Sequence, residues 1–130
     1  MVDGEGTPLS AFVTDAATSE VQSIETLIDE RMTARTPKHL LYDKAADADW
    51  LRESLAVRGI LLVCPHRDNR TRPSVNDGRV LRRYKRRYKV ERSISWLHNF
   101  RRLITRWEYY PELFQSFVHL ACLLTILKGF

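Results

Sequence analysis

Two acids and a wall of arginine are the residues of this chain with the means to do chemistry. One acid, Glu91, stands inside the stretch 81–107, LRRYKRRYKVERSISWLHNFRRLITRW. On a helix at about 100° per residue, Tyr84, Arg87, Glu91 and His98 fall within an arc of roughly 60°. Ser95 and Arg102 extend the same polar stripe. The other acid, Asp43, ends the apolar run HLLYD at 39–43. Carboxylates on separate elements, close to concentrated guanidinium groups, suggest metal-dependent phosphoryl transfer. Oxygen ligands suit the hard ions Mg²⁺ and Mn²⁺. Two such ions activate a water or a 3′-hydroxyl and stabilise the leaving oxygen. Arginine and lysine then hold a DNA backbone. The competing readings are plain: Glu91 as a charge partner for its arginines, and Asp43 as a cap for the loop that follows it.

Charge distribution favours a polyanionic partner. The 130 residues carry 21 Lys and Arg against 16 Asp and Glu, a net charge of +5. Residues 1–66 hold 6 basic and 11 acidic side chains, whereas 67–130 hold 15 and 5. An acidic half joined to a basic half implies one face that meets nucleic acid, unless the excess only keeps the protein soluble. Arginine dominates the excess, and its planar fork suits bidentate phosphate contacts. The two cysteines, Cys64 and Cys122, lie in apolar runs without metal-ligand spacing and read as buried thiols. Residues 1–10 are polar and acidic, unlike a secretory signal. The apolar tail at 113–127 is shorter than a bilayer span and contains Gln115 and His119. The expectation is a cytoplasmic protein with no membrane partner.

The elements that must position these residues follow from periodicity. Stretch 81–107 contains no Gly or Pro and predicts one long amphipathic helix. Val90, Leu97, Phe100, Leu103, Ile104 and Trp107 form its apolar side. At the start, VDGEGTPLSAFVT reads as strand, glycine turn and strand, with Asp3 a turn residue beside Gly4. Residues 19–32 predict a helix through Val21, Ile24, Leu27, Ile28 and Met32, with Ser19 and Gln22 as a capping box. Residues 39–43 and 60–64 (ILLVC) read as buried strands. Between them, a helix capped by Asp47 or Asp49 and closed by Gly59 completes a βαβ unit with a parallel pair. Asp43 then lies at the carboxyl end of a parallel strand, where sites are often built. The loop PHRDNRTRPSVNDG brings Arg67, Arg70 and Arg72, as a phosphate clamp or as solvated linker. Pro111 opens a last helix, apolar nearly all round and expected to be buried against the sheet, with His119 as a satisfied core histidine.

The spacing Tyr84-x2-Arg87-x3-Glu91-x6-His98 resembles the Tyr-Arg-Glu-Lys signature of DDE transposases of bacterial insertion sequences, in the branch where His or a similar residue takes the final place. Upstream, LLYDKAADADWLRESLAVRGI resembles the segment bearing the second catalytic aspartate of that family. VDGEGTPLS, PHRDNR and FVHLACLL match in order, so the resemblance covers nearly the whole chain. It implies a partial RNase H-like domain of the α/β class, residues 1–130 being the C-terminal part of a transposase catalytic domain. It implies Asp43 and Glu91 as catalytic metal ligands for Mg²⁺ or Mn²⁺. Tyr84, Arg87 and His98 match the residues that position the transposon end, and Arg102, Arg67 and Arg70 join them as DNA-binding candidates. The expected partners are transposon-end and target DNA, and a second copy or an intact transposase. Two departures stand out. Ala45 and Ala46 replace the family's Gly and aromatic. The first acid of the triad has no counterpart, because Asp3 belongs to the following strand. The expectation is therefore a transposase fragment impaired in metal-dependent cleavage and strand transfer, with a non-catalytic DNA-binding remnant as the alternative.

Overall fold

A computed structural model describes residues 1–73 and 78–129. Residues 74–77 of the loop PHRDNRTRPSVNDG lie outside the described residues. The chain divides into two compact units: Arg35–Arg87, and Met1–Ala34 with Tyr88–Phe130.

The unit of residues 35–87 is a βαβ unit, as its apolar pattern predicts. Strand β1 (His39–Leu41) pairs in parallel with β2 (Leu61–Val63), with His39 opposite Leu61 and Leu41 opposite Val63. The pairing runs on through the Tyr42 N–H, which donates to the Val63 carbonyl at 3.0 Å. Between the strands lie a short 3-10 turn (Lys44–Ala46) and a helix, Asp49–Val57. That helix buries Leu51 and Leu55, one turn apart, beneath the sheet residues Leu62, Val63 and Cys64. Gly59 adopts φ 72°, the left-handed conformation that ends a helix at low cost, and the Ile60 N–H returns to the Leu55 carbonyl at 2.9 Å. Neither Asp47 nor Asp49 caps this helix. Ala48 is the N-cap, without a side-chain bond. Asp47 is taken by other partners, described below, and Asp49 sits in the first turn, where its charge complements the helix dipole.

The single helix expected over 81–107 is not formed. In its place stand a helix at Gly78–Tyr84, a 3-10 turn at Lys85–Arg87, and helices at Tyr88–Leu97 and Arg101–Ile104. In chain order the helices at 24–29, 49–57, 78–84, 88–97, 101–104 and 111–128 are α1 to α6. Arg82, Arg83, Lys85, Arg86, Arg87 and Lys89 place like charges three and four residues apart, with no acid before Glu91. Such pairs oppose a continuous helix by some tenths of a kcal/mol each. The 3-10 turn advances about 120° per residue, so the helical phase is lost across it. Tyr84, Arg87, Glu91 and His98 therefore do not share one helical stripe. Tyr84 and Arg87 belong to the unit that carries Asp43, and Glu91, His98 and Arg102 to the other.

In the second unit the N-terminal strands are also absent. Val2 and Pro8 make one antiparallel bridge, and residues 9–15 are irregular. Pro8 has no N–H to donate, and a lone hairpin is marginal in water. The backbone of 9–13 is met by scattered partners instead: the Leu9 N–H donates to the Met1 carbonyl at 2.9 Å, the Leu9 carbonyl accepts the Met32 N–H at 2.8 Å, and Gln115 donates to the Ala11 carbonyl at 2.8 Å and accepts from the Val13 N–H. Asp3 holds the turn as expected, its carboxylate accepting from the Glu5 and Thr7 N–H groups at 2.8 and 2.9 Å. Helix α1 is shorter than its periodic stretch, Ile24–Asp29. Residues 20–23 are turns, the capping box is not made, and Met32 is 62 % exposed.

The apolar side assigned to 90–107 is not a core face. Trp107 and Ile104 are largely exposed, and the buried side chain of α4 is Ser93. Ser93 donates to the Gly6 carbonyl at 2.5 Å, and Gly6, at φ 93°, is the residue that lets the turn approach so closely. Helix α6 (Pro111–Lys128) packs against α4 and α5. It buries Ala121, Cys122 and Thr125 but shows Leu113, Leu120, Leu123 and Leu127 to solvent, so it is not buried all round. His119 is an exposed residue, not a core one. Its ring contacts the Ala11 carbonyl at 3.0 Å and Gln115 at 2.6 Å. Both cysteines are buried and outside any disulfide, as their apolar settings predict. No helix among the described residues is long and apolar enough to cross a membrane.

Candidate functional site

Asp43 follows β1 by two residues, at the carboxyl end of the parallel pair. Its extended backbone turns the chain into the 3-10 turn, and its carboxylate caps that turn by accepting the Ala45 N–H at 2.9 Å. Capping occupies one oxygen. The other faces Arg87, whose guanidinium approaches to 3.6 Å. Arg87 also donates to the Tyr84 hydroxyl at 3.3 Å. Asp43, Arg87 and Tyr84 thus meet in space across more than forty residues of chain. Both side chains of the Asp43–Arg87 pair remain about a third exposed, at 37 % and 36 %. The cap and the ion pair leave that carboxylate open to a ligand.

Arg67 clamps the turn from its other side. It donates to the Lys44 carbonyl at 3.1 Å and to the Ala45 carbonyl at 2.5 Å. The clamp is anchored by Asp47, whose side chain is only 1 % exposed. Asp47 accepts the Arg67 N–H at 2.9 Å, Arg52 at 2.9 Å and Arg70 at 3.0 Å, with the His66 ring at 3.1 Å. Burial alone would raise this carboxyl. The Arg67 N–H, Arg52 and His66 outweigh it and hold Asp47 far below the ordinary carboxylate range. Arg70 spans Asp47 and Asp49, reaching the latter at 2.6 Å, and Arg72 adds a second contact to Asp49 at 2.8 Å. Arg52 ties the hub to β2 through the Leu62 carbonyl at 3.2 Å and the Cys64 sulfur at 2.9 Å.

The loop arginines are therefore not a solvated linker. Arg67 and Arg70 spend their hydrogen bonds on the turn and the acids around it. Sequence spacing does not mark Asp47, Arg52 and His66 as a site. The signal was present as charge complementarity between DAD at 47–49 and HRDNRTR at 66–72, but nothing local says that the two segments meet. His39, on β1, contacts Arg83 of α3. Burial, then the charges of Arg83 and Lys38, lower its pKa.

In the other unit, Glu91 and His98 are exposed on and just after α4. Arg102, on α5, pairs with Glu108 at 3.0 Å and lies over the Phe117 ring at 5.3 Å. Lys89 and Arg92 hold the 3–7 turn through Glu5, at 3.2 Å to its carboxylate and 2.9 Å to its carbonyl.

Asp43 and Glu91 are each an accessible carboxylate, an oxygen donor of the kind a hard cation takes. The described residues contain no group of three or more acidic, histidine or cysteine side chains placed to hold a metal.

The family described as Transposase DDE domain matches residues 1–126. The chain is 34% identical over 132 residues to a putative transposase for insertion sequence element IS402 of Burkholderia cepacia, a match covering 95% of this chain and 59% of that protein. It is 36% identical over 92 residues to a putative transposase for insertion sequence element IS6501 of Brucella ovis, covering 69% and 68%. The chain thus spans well under two thirds of the length of the first relative. No solved structure matches it.

Proposed function

Because this chain belongs to the DDE transposase domain family, we propose that it is the C-terminal part of a transposase catalytic domain with an RNase H-like core, acting on DNA in transposition. The observation that carries this reading is the gathering of Asp43, Arg87 and Tyr84 at the carboxyl end of β1. By the family resemblance, Asp43 and Glu91 would each serve as a carboxylate ligand of a divalent cation, a set that a further acid would complete. A bound Mg²⁺ or Mn²⁺ supplies Lewis acidity toward the scissile phosphate and its attacking oxygen.

The protein's own residues do the rest. Arg87 offsets the Asp43 charge while no cation is bound, and Tyr84 orients its fork. As phosphate approaches, Arg87 offers the same guanidinium to the backbone of the transposon end. His98 and Arg102, in the other unit, are further DNA contacts in this reading. Arg67 and Arg70 serve the DNA site through the loop they pin. Target DNA and a second copy or an intact transposase are the remaining partners, in the cytoplasm.

The incomplete carboxylate set supports a second outcome for the isolated chain, DNA binding without cutting. A gel shift and a plasmid-nicking assay with Mn²⁺, on insertion-sequence-end DNA, test both. The expected result is retention of DNA with a steep fall as salt rises, and little nicking. Failure to retain DNA at low salt removes the reading altogether. Efficient nicking by the chain alone contradicts its impairment.

A further inference from the structure

Trp107 is 77 % exposed in the connection between α5 and α6. A single exposed apolar side chain is ordinary, but a cluster of exposed aromatic rings marks a surface that meets something. Its surroundings are cationic. An open cleft of about 520 Å³ is lined by Arg101, Arg102 and Trp107. Two further exposed rings, Tyr109 and Tyr110, follow within three residues.

The local acid is turned away from solvent. Glu108 has a side chain only 7 % exposed, paired with Arg102 and accepting the Trp107 N–H at 3.2 Å. Arg106 donates to the Glu108 and Tyr109 carbonyls at 2.9 and 3.1 Å and lies over the Phe114 ring at 5.8 Å. The backbone on both sides of Trp107 is therefore held, and the indole is presented from a fixed support.

We propose that Trp107 is a stacking platform for an unpaired nucleobase, with Arg101 and Arg102 holding the phosphates that flank it. The inference rests on the DNA-binding reading above and adds a site and a strand form to it. A flat ring beside two guanidinium groups matches what single-stranded nucleic acid offers: a π-face on every base and a phosphate between neighbours. Arg102 is already paired with Glu108, but a protein partner of ordinary composition would bury Arg101 with no acid of the cleft to offset it, and that is costly.

The test is fluorescence anisotropy with labelled blunt duplex, duplex bearing an unpaired overhang, and single strand. The proteins are the full chain and its variants Trp107→Ala, Trp107→Phe and Arg101→Gln. The expected result is a loss of about tenfold in affinity for Trp107→Ala on DNA with unpaired bases, with blunt duplex unchanged. Trp107→Phe keeps most of the affinity, and Arg101→Gln lowers the salt dependence. Equal affinity of Trp107→Ala and wild type on every DNA overturns the stacking site while leaving the DNA reading in place. An equal loss on duplex and single strand overturns it too, since stacking distinguishes them. A change in sedimentation without a change in DNA affinity makes Trp107 a protein contact and also overturns it. If the full chain binds none of the three DNAs, this site falls together with the wider reading.

Discussion

The Arg87 guanidinium stands 3.6 Å from the Asp43 carboxylate, joining a residue two positions beyond a short parallel strand to the last residue of a 3-10 turn. Both side chains are about a third exposed, so the pair's own contribution to stability is small, at most about 1 kcal/mol. Its consequence is electrostatic. A cation and an acid of the candidate site are held together while the acid keeps a surface for a ligand. Replacing Arg87 by Ala should therefore leave thermal unfolding nearly unchanged and weaken DNA binding, with the slope of affinity against salt reduced by about one. Arg87→Lys should restore the charge but not the fork, and recover only part of the affinity. An Arg87→Ala variant that binds DNA with an unaltered salt slope would show that the guanidinium meets no phosphate.

Asp47 carries the opposite balance, buried and heavily paired. Removing one partner from such a group typically costs about 3–5 kcal/mol. Asp47→Ala should unfold residues 35–87 at much lower denaturant, read by circular dichroism. The pH dependence follows from sign. The folded carboxyl lies far below the value of about 3.9 expected unfolded. Its stabilisation is complete above that unfolded value and is lost as pH falls through the folded one. Wild type should lose stability on acidification below about pH 4, and Asp47→Asn should show a shallower loss over the same range.

Arg67 links that hub to the turn after Asp43. Arg67→Ala keeps its own backbone N–H bond to Asp47 but removes both side-chain bonds to Lys44 and Ala45. Hydrogen exchange should then quicken at the Ala45 and Ala46 amides by about tenfold, the equivalent of about 1.4 kcal/mol of local opening. Exchange in α2 should stay as it was. Unchanged protection at Ala45 would mean that Asp43 alone holds the turn.

Gly6 is the close approach in the other unit. A Cβ placed there meets the Ser93 hydroxyl at 3.0 Å, on a backbone at φ 93°. Gly6→Ala should lower stability by more than about 1 kcal/mol, combining backbone strain with contact. Ser93→Ala should lose about 1–2 kcal/mol, by leaving the buried Gly6 carbonyl without its donor. Thermal melts of the two variants check both figures. A neutral Gly6→Ala would show that the turn is not seated on α4.

Periodicity and turn chemistry alone determined the βαβ unit: two apolar runs, a helix with Leu51 and Leu55 on one face, Gly59 at its end, and Asp43 at the end of a strand. Each depends on residues near one another in the chain, so each was legible there. The burial of both cysteines followed from their apolar neighbours in the same way. Like charges interrupt the helix over 81–107, a local balance that a wheel of apolar and polar positions does not weigh. Only tertiary structure decided the rest. Ala11 and Val13 hydrogen-bond to Gln115, a hundred residues away, instead of to a neighbouring strand. Asp47, not a helix cap, gathers arginines and His66 from positions 52 to 70. An ionic group buries itself only where its partners converge, and that convergence is a property of the folded chain, absent from any local stretch of it.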